Sequence, residues 1–157
     1  MISNRPDAHG LQRARLAGIE VTVIDHTQFD GRDAFDQALI KHIDSYQPAL
    51  VVLAGFMRIL TDPFVEHYTG RLLNIHPALL PDFPGLNTHE RALESGVKQH
   101  GASVHFVTTE VDGGPVVLQS SVAVESDDSV EILAARVLQQ EHLIYPLAIK
   151  WYAENRL

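Results

Sequence analysis

"ALVVLAGFMRILTDPFVEHYTGRLLNIHP", residues 49–77, holds two apolar runs separated by one helical stretch. The first, "ALVVLAGF", is short and rich in valine, as a parallel strand buried on both faces tends to be. "DPFVEHYTG" reads as a short helix and "RLLNIHP" as the strand after it. Strand, helix, strand is the unit from which parallel sheets are built, so this stretch assigns the chain to the α/β class.

The flanking sequence continues the alternation. "PDAHGLQRARLAG" puts Ala8, Leu11 and Ala14 at helical spacing with Gly18 as a stop, and "IEVTVID" alternates like a strand. "GRDAFDQALIKHIDSYQP" sets Phe35, Leu39, Ile43 and Tyr46 on one stripe and ends at Pro48. Downstream, "THERALESG" predicts a helix with Thr88 near its N-cap and Gly96 as its stop. "ASVHFVT" and "PVVLQSSVAV" read as strands joined by a tight reversal at "TEVDGG". A helical pattern then runs from Asp128 to Asn155, opened by an Asp128/Glu131 capping box and interrupted or kinked at Pro146.

Composition narrows the function classes. The 157 residues are 45% hydrophobic and 20% charged, which suits one globular domain, residues 1–157, with no repeat or linker dividing it. Twelve Lys and Arg against 20 Asp and Glu give a formal net charge of -8, which repels a nucleic-acid backbone or an anionic membrane. With no cysteine, disulfides, thiolate metal sites and cysteine nucleophiles are excluded. No apolar run approaches membrane-spanning length and "MISNRPDAHG" lacks a signal-peptide core, so a cytoplasmic protein is expected. The pattern sets no oligomeric state.

Asn74 and His76 lie two apart in an extended strand and therefore share a face, and Pro77 ends the ladder immediately after them. Ligands bind at the carboxyl ends of strands in open α/β sheets, and an amide beside an imidazole can hold a carbonyl and stabilise its oxyanion. A polar pair hydrogen-bonded at a strand end is the plainer reading of these two residues alone. "EVDGGPV" places Asp112 in a glycine-rich turn, where a carboxylate could meet His76, although an aspartate before glycine is common in any turn. "HERAL" at 89–93 starts like the zinc motif HExxH but has Leu93 in place of the second histidine. It is expected to be helix surface, and no metal site is expected.

"VVLAGFMRIL", "RLLNIHPALLPDFPGLNTHERAL", "GASVHFVTTEVDGGPV" and "QEHLIYPLAI" together closely resemble the folate-dependent formyltransferases, over nearly the whole chain. NIHP followed by LLP and PG, with DGGP downstream, is the most specific part. The resemblance implies a Rossmann-like fold, a mostly parallel sheet with helices on both faces, and a catalytic group of Asn74, His76 and Asp112. It further implies formyl transfer from 10-formyltetrahydrofolate to the amine of glycinamide ribonucleotide in purine synthesis, with small molecules as the only partners. The implied folate pocket comprises Arg32, Met57, Arg58, Ile59, Leu60 and Asn74, with the turn Thr109, Glu110, Val111, Asp112, Gly113 and Gly114. His105 and Glu141 are implied at the ribonucleotide.

Thr109 stands where relatives tend to carry an acidic residue, and Asp82 where some carry a basic one. Relatives acting on methionyl-tRNA add an RNA-binding domain, and the deformylases add a regulatory one. Both remain alternatives, as does a folate-binding fragment without transferase activity. Family members open with a strand and a Gly/Ser/Asn-rich phosphate loop that precede the segment matching "ISNRPDAHGLQRARLAGI". The chain is therefore expected to lack the first strand, to be marginally stable and to transfer little.

Overall fold

The computed structural model describes residues 1–157. In chain order the elements are β1 (Ile2–Ser3), α1 (His9–Leu16), β2 (Thr22–Val23), α2 (Arg32–Asp44), β3 (Val51–Leu53), α3 (Asp62–His67), β4 (Leu72–His76), α4 (Thr88–Ser95), β5 (Gln99–Phe106), β6 (Val116–Ala123) and α5 (Val130–Ala153), with a 3-10 turn at His26–Gln28. They fall into two compact units, residues 1–48 with 60–64, and residues 49–59 with 65–157.

In the first unit β1 and β2 pair in parallel, Ile2 opposite Thr22 and Ser3 opposite Val23. The expected strand "IEVTVID" contracts to Thr22–Val23 because its only partner is two residues long. Leu11 and Ala14 of α1 and Phe35 and Leu39 of α2 are buried as the periodicity requires. Tyr46 is a correction to the α2 stripe. The helix ends at Asp44, so Tyr46 leaves the stripe, is 54% exposed, and donates its hydroxyl to Glu20 at 3.0 Å. Asp36, also buried, accepts the Thr61 backbone N–H at 2.7 Å just before α3 begins.

The second unit is built on a sheet of order β3-β4-β5-β6. β3 and β4 run parallel, with Leu53 opposite Asn74, while β4, β5 and β6 pair antiparallel. β3 is shorter than "ALVVLAGF" suggested and is less covered. It is an end strand with one neighbour, and Val52 is 43% exposed. The β5–β6 connection, 107–115, is a longer loop than the tight reversal expected of "TEVDGG".

Period two sorts this sheet's side chains. Leu73 and Ile75 of β4, with Ala102 and Val104 of β5, join Leu133, Val137, Ile144 and Ala148 of α5 in one core. Asn74, His76, Ser103 and His105 point from the other face, since Asn74 pairs with His105 and His76 with Ser103. Segment 77–87 covers that second face. Ser103 Oγ donates to Ala78 O at 2.6 Å and accepts the Leu80 N–H at 3.0 Å, and Gln119 Nε2 donates to Ser103 Oγ at 2.7 Å and to Leu80 O at 2.9 Å. β5 is consequently buried from His100 to His105 on both faces.

Helix termini depart from expectation in detail. Ser129, not Asp128, caps α5 by accepting the Ile132 N–H, because Asp128 is engaged in a fork with Arg136 at 2.6 and 2.7 Å. Asn87 in the left-handed region precedes α4, and Thr88 is its first helical residue, while Gly96 ends it as predicted. α5 runs unbroken through Pro146. Ile144 and Ala148, buried on either side of that proline, hold both halves of the helix to one core.

Tyr145 ties α5 to the parallel pair. Its hydroxyl proton is shared between Leu53 O at 2.7 Å and Leu73 O at 3.0 Å, and burial pushes its pKa up. Tyr145→Phe leaves two carbonyls short of a donor, one at the end of β3 and one in β4, and is expected to cost about 1–3 kcal/mol. Urea unfolding measures this, and an unchanged midpoint would show that the bond does not hold β3.

Candidate active site

β4 delivers Asn74 and His76 to the second face, β5 delivers His105 directly opposite Asn74, and the 107–115 loop delivers Asp112. Asp112 lies in the left-handed region at φ 53, the conformation that turns the loop in front of the glycine pair. His76 Nδ1 lies 3.3 Å from Asp112 Oδ2, and His105 Nε2 lies 3.5 Å from Asp112 Oδ1. Asn74 Nδ2 is 3.2 Å from His105 Nε2. The strand register and the DGG turn thus bring Asn74, His76, His105 and Asp112 into one cluster.

Donors and acceptors fix what each ring can do. His76 Nε2 donates to Phe83 O at 2.9 Å, so both its ring nitrogens face acceptors, a carbonyl and a carboxylate. A ring protonated at both nitrogens would serve both acceptors. His105 Nδ1 donates to Phe106 O at 2.9 Å, and its Nε2 lies between the Asn74 amide and Asp112 Oδ1, where it accepts from the first without a proton and donates to the second with one. Asn74 then keeps one amide proton and its carbonyl for a ligand.

Asp112 is the counter-charge. Burial alone would raise its carboxyl, but hydrogen bonds from His105 and from the Gly85 N–H at 2.8 Å, with the charges of His76 and His105, outweigh burial and hold it below the ordinary 3.8. A second histidine pair lies nearby, His89 Nδ1 to His100 Nε2 at 3.1 Å. Burial and then the charge on His76 lower His89, while burial, His89 and His76 together push His100 down to about 4. Both shifts favour the neutral ring at His89 and His100. His89 corrects the reading of "HERAL" as plain helix surface, because it is half-buried against His100. No group of three or more His, Cys, Asp or Glu is placed to hold a metal ion.

The other sequence-predicted residues lie outside this cluster. Met57 and Ile59 are 73% and 62% exposed on the segment after β3, with Arg58 half-buried between them. Thr109, Glu110, Val111, Gly113 and Gly114 form the loop around Asp112, folded by a Gly113 N–H to Glu110 O bond at 3.2 Å. A Cβ on Gly114 would strike Phe106 O, so the loop passes too close to β5 for any other residue. Arg32 begins α2 and Leu60 precedes α3, both within the first unit. Glu141 is half-buried on α5, and burial raises its carboxyl against a smaller opposing effect of His142.

Sequence reasoning placed His105 only by resemblance, yet a direct signal existed. Ser103 and His105 repeat on β5 the period-two polar pair that Asn74 and His76 make on β4. Ser103 and Gln119, which root segment 77–87, were not singled out at all.

A carboxyl depressed by folding stabilises the native state above its unfolded pKa and ceases to do so as pH falls through its folded value. The acid window therefore begins near 3.8 and extends below it. In urea unfolding across that window, the stability gap between the parent chain and Asp112→Asn is expected to shrink as pH drops. A gap that holds constant or widens would mean that Asp112 is not held down by its partners.

Comparison with known proteins agrees with this geometry. A family model described as formyl transferase matches residues 1–149. Phosphoribosylglycinamide formyltransferase of Escherichia coli (strain K12) is 59% identical over 157 residues, covering 100% of this chain and 74% of that protein. The protein of the same name from Haemophilus influenzae is 48% identical with the same coverage. Among solved structures, glycinamide ribonucleotide transformylase 1 from Symbiobacterium toebii superposes with a TM-score of 0.97 at 50% identity, covering 99% of this chain and 74% of the other. A cluster of amide, imidazoles and carboxylate at a strand end, on a chain this similar to those proteins along its whole length, leaves one conclusion: the chain belongs to the formyl transferase family.

Proposed function

We propose that the chain transfers the formyl group of 10-formyltetrahydrofolate to the primary amine of glycinamide ribonucleotide, a step of purine synthesis. The observation that carries this reading is that both ring nitrogens of His76 face acceptors, one of them Asp112, beside an Asn74 amide with a proton to spare. Asn74 grips the formyl oxygen. The amine nitrogen attacks the formyl carbon, and His76 sets a positive charge beside the oxyanion that develops. Asp112 takes the proton lost by the amine through water, and the proton is delivered to the departing folate nitrogen as its bond to carbon breaks. His105 and Glu141 belong to the ribonucleotide end of the site in this reading.

For the folate, the reading assigns Arg32, the segment Met57 to Leu60, and the loop Thr109 to Gly114. Backbone groups of a turn can read the edge of a flat pterin, and exposed Met57, Ile59 and Val111 offer apolar surface to cover it. The acidic chain, at a formal net charge of -8, suits small-molecule substrates in the cytoplasm rather than nucleic acid or a membrane. No metal takes part.

His76→Ala and Asp112→Ala are each expected to lower kcat about 100- to 1000-fold, since they act on charge that develops in the transition state. Affinity for a folate analogue should change little. Steady-state transfer assays and analogue titration, run on the same preparations, separate these effects. A loss confined to binding would remove both residues from the chemistry. Gly113→Val pushes a side chain into Glu110, whose atoms lie 2.5–2.6 Å from where a Cβ would sit, and is expected to weaken the analogue through loop geometry. Unchanged analogue affinity in that variant would put the folate elsewhere.

A further inference from the structure

We propose that Arg91 is a positioning residue whose guanidinium fixes the loop that holds both charged groups of the site. The loop touches that site through two backbone groups of opposite sense. The Phe83 carbonyl accepts from His76 Nε2 at 2.9 Å, and the Gly85 N–H donates to Asp112 Oδ2 at 2.8 Å. The imidazole and the carboxylate, themselves 3.3 Å apart, are therefore held by one short piece of chain.

That piece does not hold its shape by local preference. Phe83, Gly85 and Asn87 have φ of 54, 79 and 55, alternate residues in the left-handed region, which glycine and asparagine accept but the Phe83 side chain disfavours. Something outside must fix them. Arg91, in the first turn of α4, donates from one terminal nitrogen to Pro84 O at 2.6 Å and to Leu86 O at 3.3 Å, the carbonyls on either side of Gly85. Its guanidinium also lies over the Phe83 ring at 5.6 Å, and that ring meets His100 edge to face at 5.9 Å. Arg91 thus grips residues 83, 84 and 86, which interleave with 83 and 85, the two that hold His76 and Asp112. A planar cation can stack on a ring and donate in its own plane at once, whereas a lysine ammonium cannot do both in this geometry. Arg91 bonds neither His76 nor Asp112, so any effect it has on the chemistry passes through the loop.

The kinetic arm of the test rests on the formyl transfer proposed above, and the spectroscopic arm does not. Arg91→Met and Arg91→Lys are made in the full chain and compared with the parent for kcat, folate-analogue Kd, thermal unfolding and the His76 Nε2–H signal in NMR. For Arg91→Met, kcat is expected to fall roughly 10- to 100-fold, the cost of displacing a reacting group by about an ångström, with Kd and Tm near those of the parent. The His76 Nε2 proton, no longer held on Phe83 O, should broaden and exchange faster. Arg91→Lys should recover part of the lost turnover through the one carbonyl an ammonium can reach. A parent-like kcat and an intact His76 signal in Arg91→Met would overturn the assignment. So would parallel losses in kcat, Kd and Tm, which would make Arg91 a general structural residue. If the parent itself transfers no formyl group, the function proposed above fails, and the His76 signal alone decides the role of Arg91.

Discussion

Asp112 is the constraint around which this site is organised. Its side chain is 11% exposed, and its two oxygens meet two different imidazoles and a backbone N–H. A carboxylate in that position is tolerable only while its partners stay in place. Removing one side of a buried charge pair commonly costs about 3–5 kcal/mol, because the remaining charge has no water to turn to. His76 is under the same constraint from the other side, being 4% exposed with an acceptor at each nitrogen. The pair couples the site to the fold, since the loop that presents Asp112 and the strand that presents His76 cannot separate without stranding a charge.

The sheet makes this coupling possible by keeping its two faces chemically distinct. One side of β4 and β5 packs on α5 through Leu73, Ile75, Ala102 and Val104. The other side carries Asn74, His76, Ser103 and His105 at the alternate positions. A polar face would normally be solvated, but here segment 77–87 covers it and supplies backbone partners for its side chains. Ser103 and Gln119 fasten the start of that segment, while His76 and Asp112 engage its far end. The polar cluster is thus part of what closes the second face of the sheet.

Much of this was legible in the sequence, and the parts that were not share a physical reason. Helix periodicity located α1, α2, α4 and α5, because burial of one stripe is a local rule that Leu11, Phe35, Leu39 and Leu133 obey. The period-two pair before Pro77 located Asn74 and His76, and the DGG turn located Asp112. Ser129 was missed as a cap because Asp128 is an equally good cap by type, and only its fork with Arg136 removes it from competition. His89 was read as surface because its partner His100 is eleven residues away and meets it only in three dimensions. Tyr46 was read as core because the stripe continues past a helix that ends at Asp44. In each case something outside the pattern, a side-chain fork, a packed ring or an early helix end, overrode a sound local preference.

Three of the four non-glycine residues of the second unit with positive φ, all but Asn155, gather at the same place. Phe83, Gly85, Asn87 and Asp112 all have positive φ, and all belong to the two loops that meet at His76. For a residue other than glycine, each such conformation costs on the order of 1–3 kcal/mol and persists only where surrounding contacts determine it. The contacts are identifiable: Arg91 on the carbonyls of Pro84 and Leu86, Gly85 N–H on Asp112, and His76 on Phe83 O. Two of these three are also contacts of the charged pair. The strain and the ion pair are therefore not independent features. A relaxed loop would carry the Phe83 carbonyl and the Gly85 amide away from their partners, so the left-handed turns are the geometric condition under which one loop can hold an imidazole and a carboxylate 3.3 Å apart.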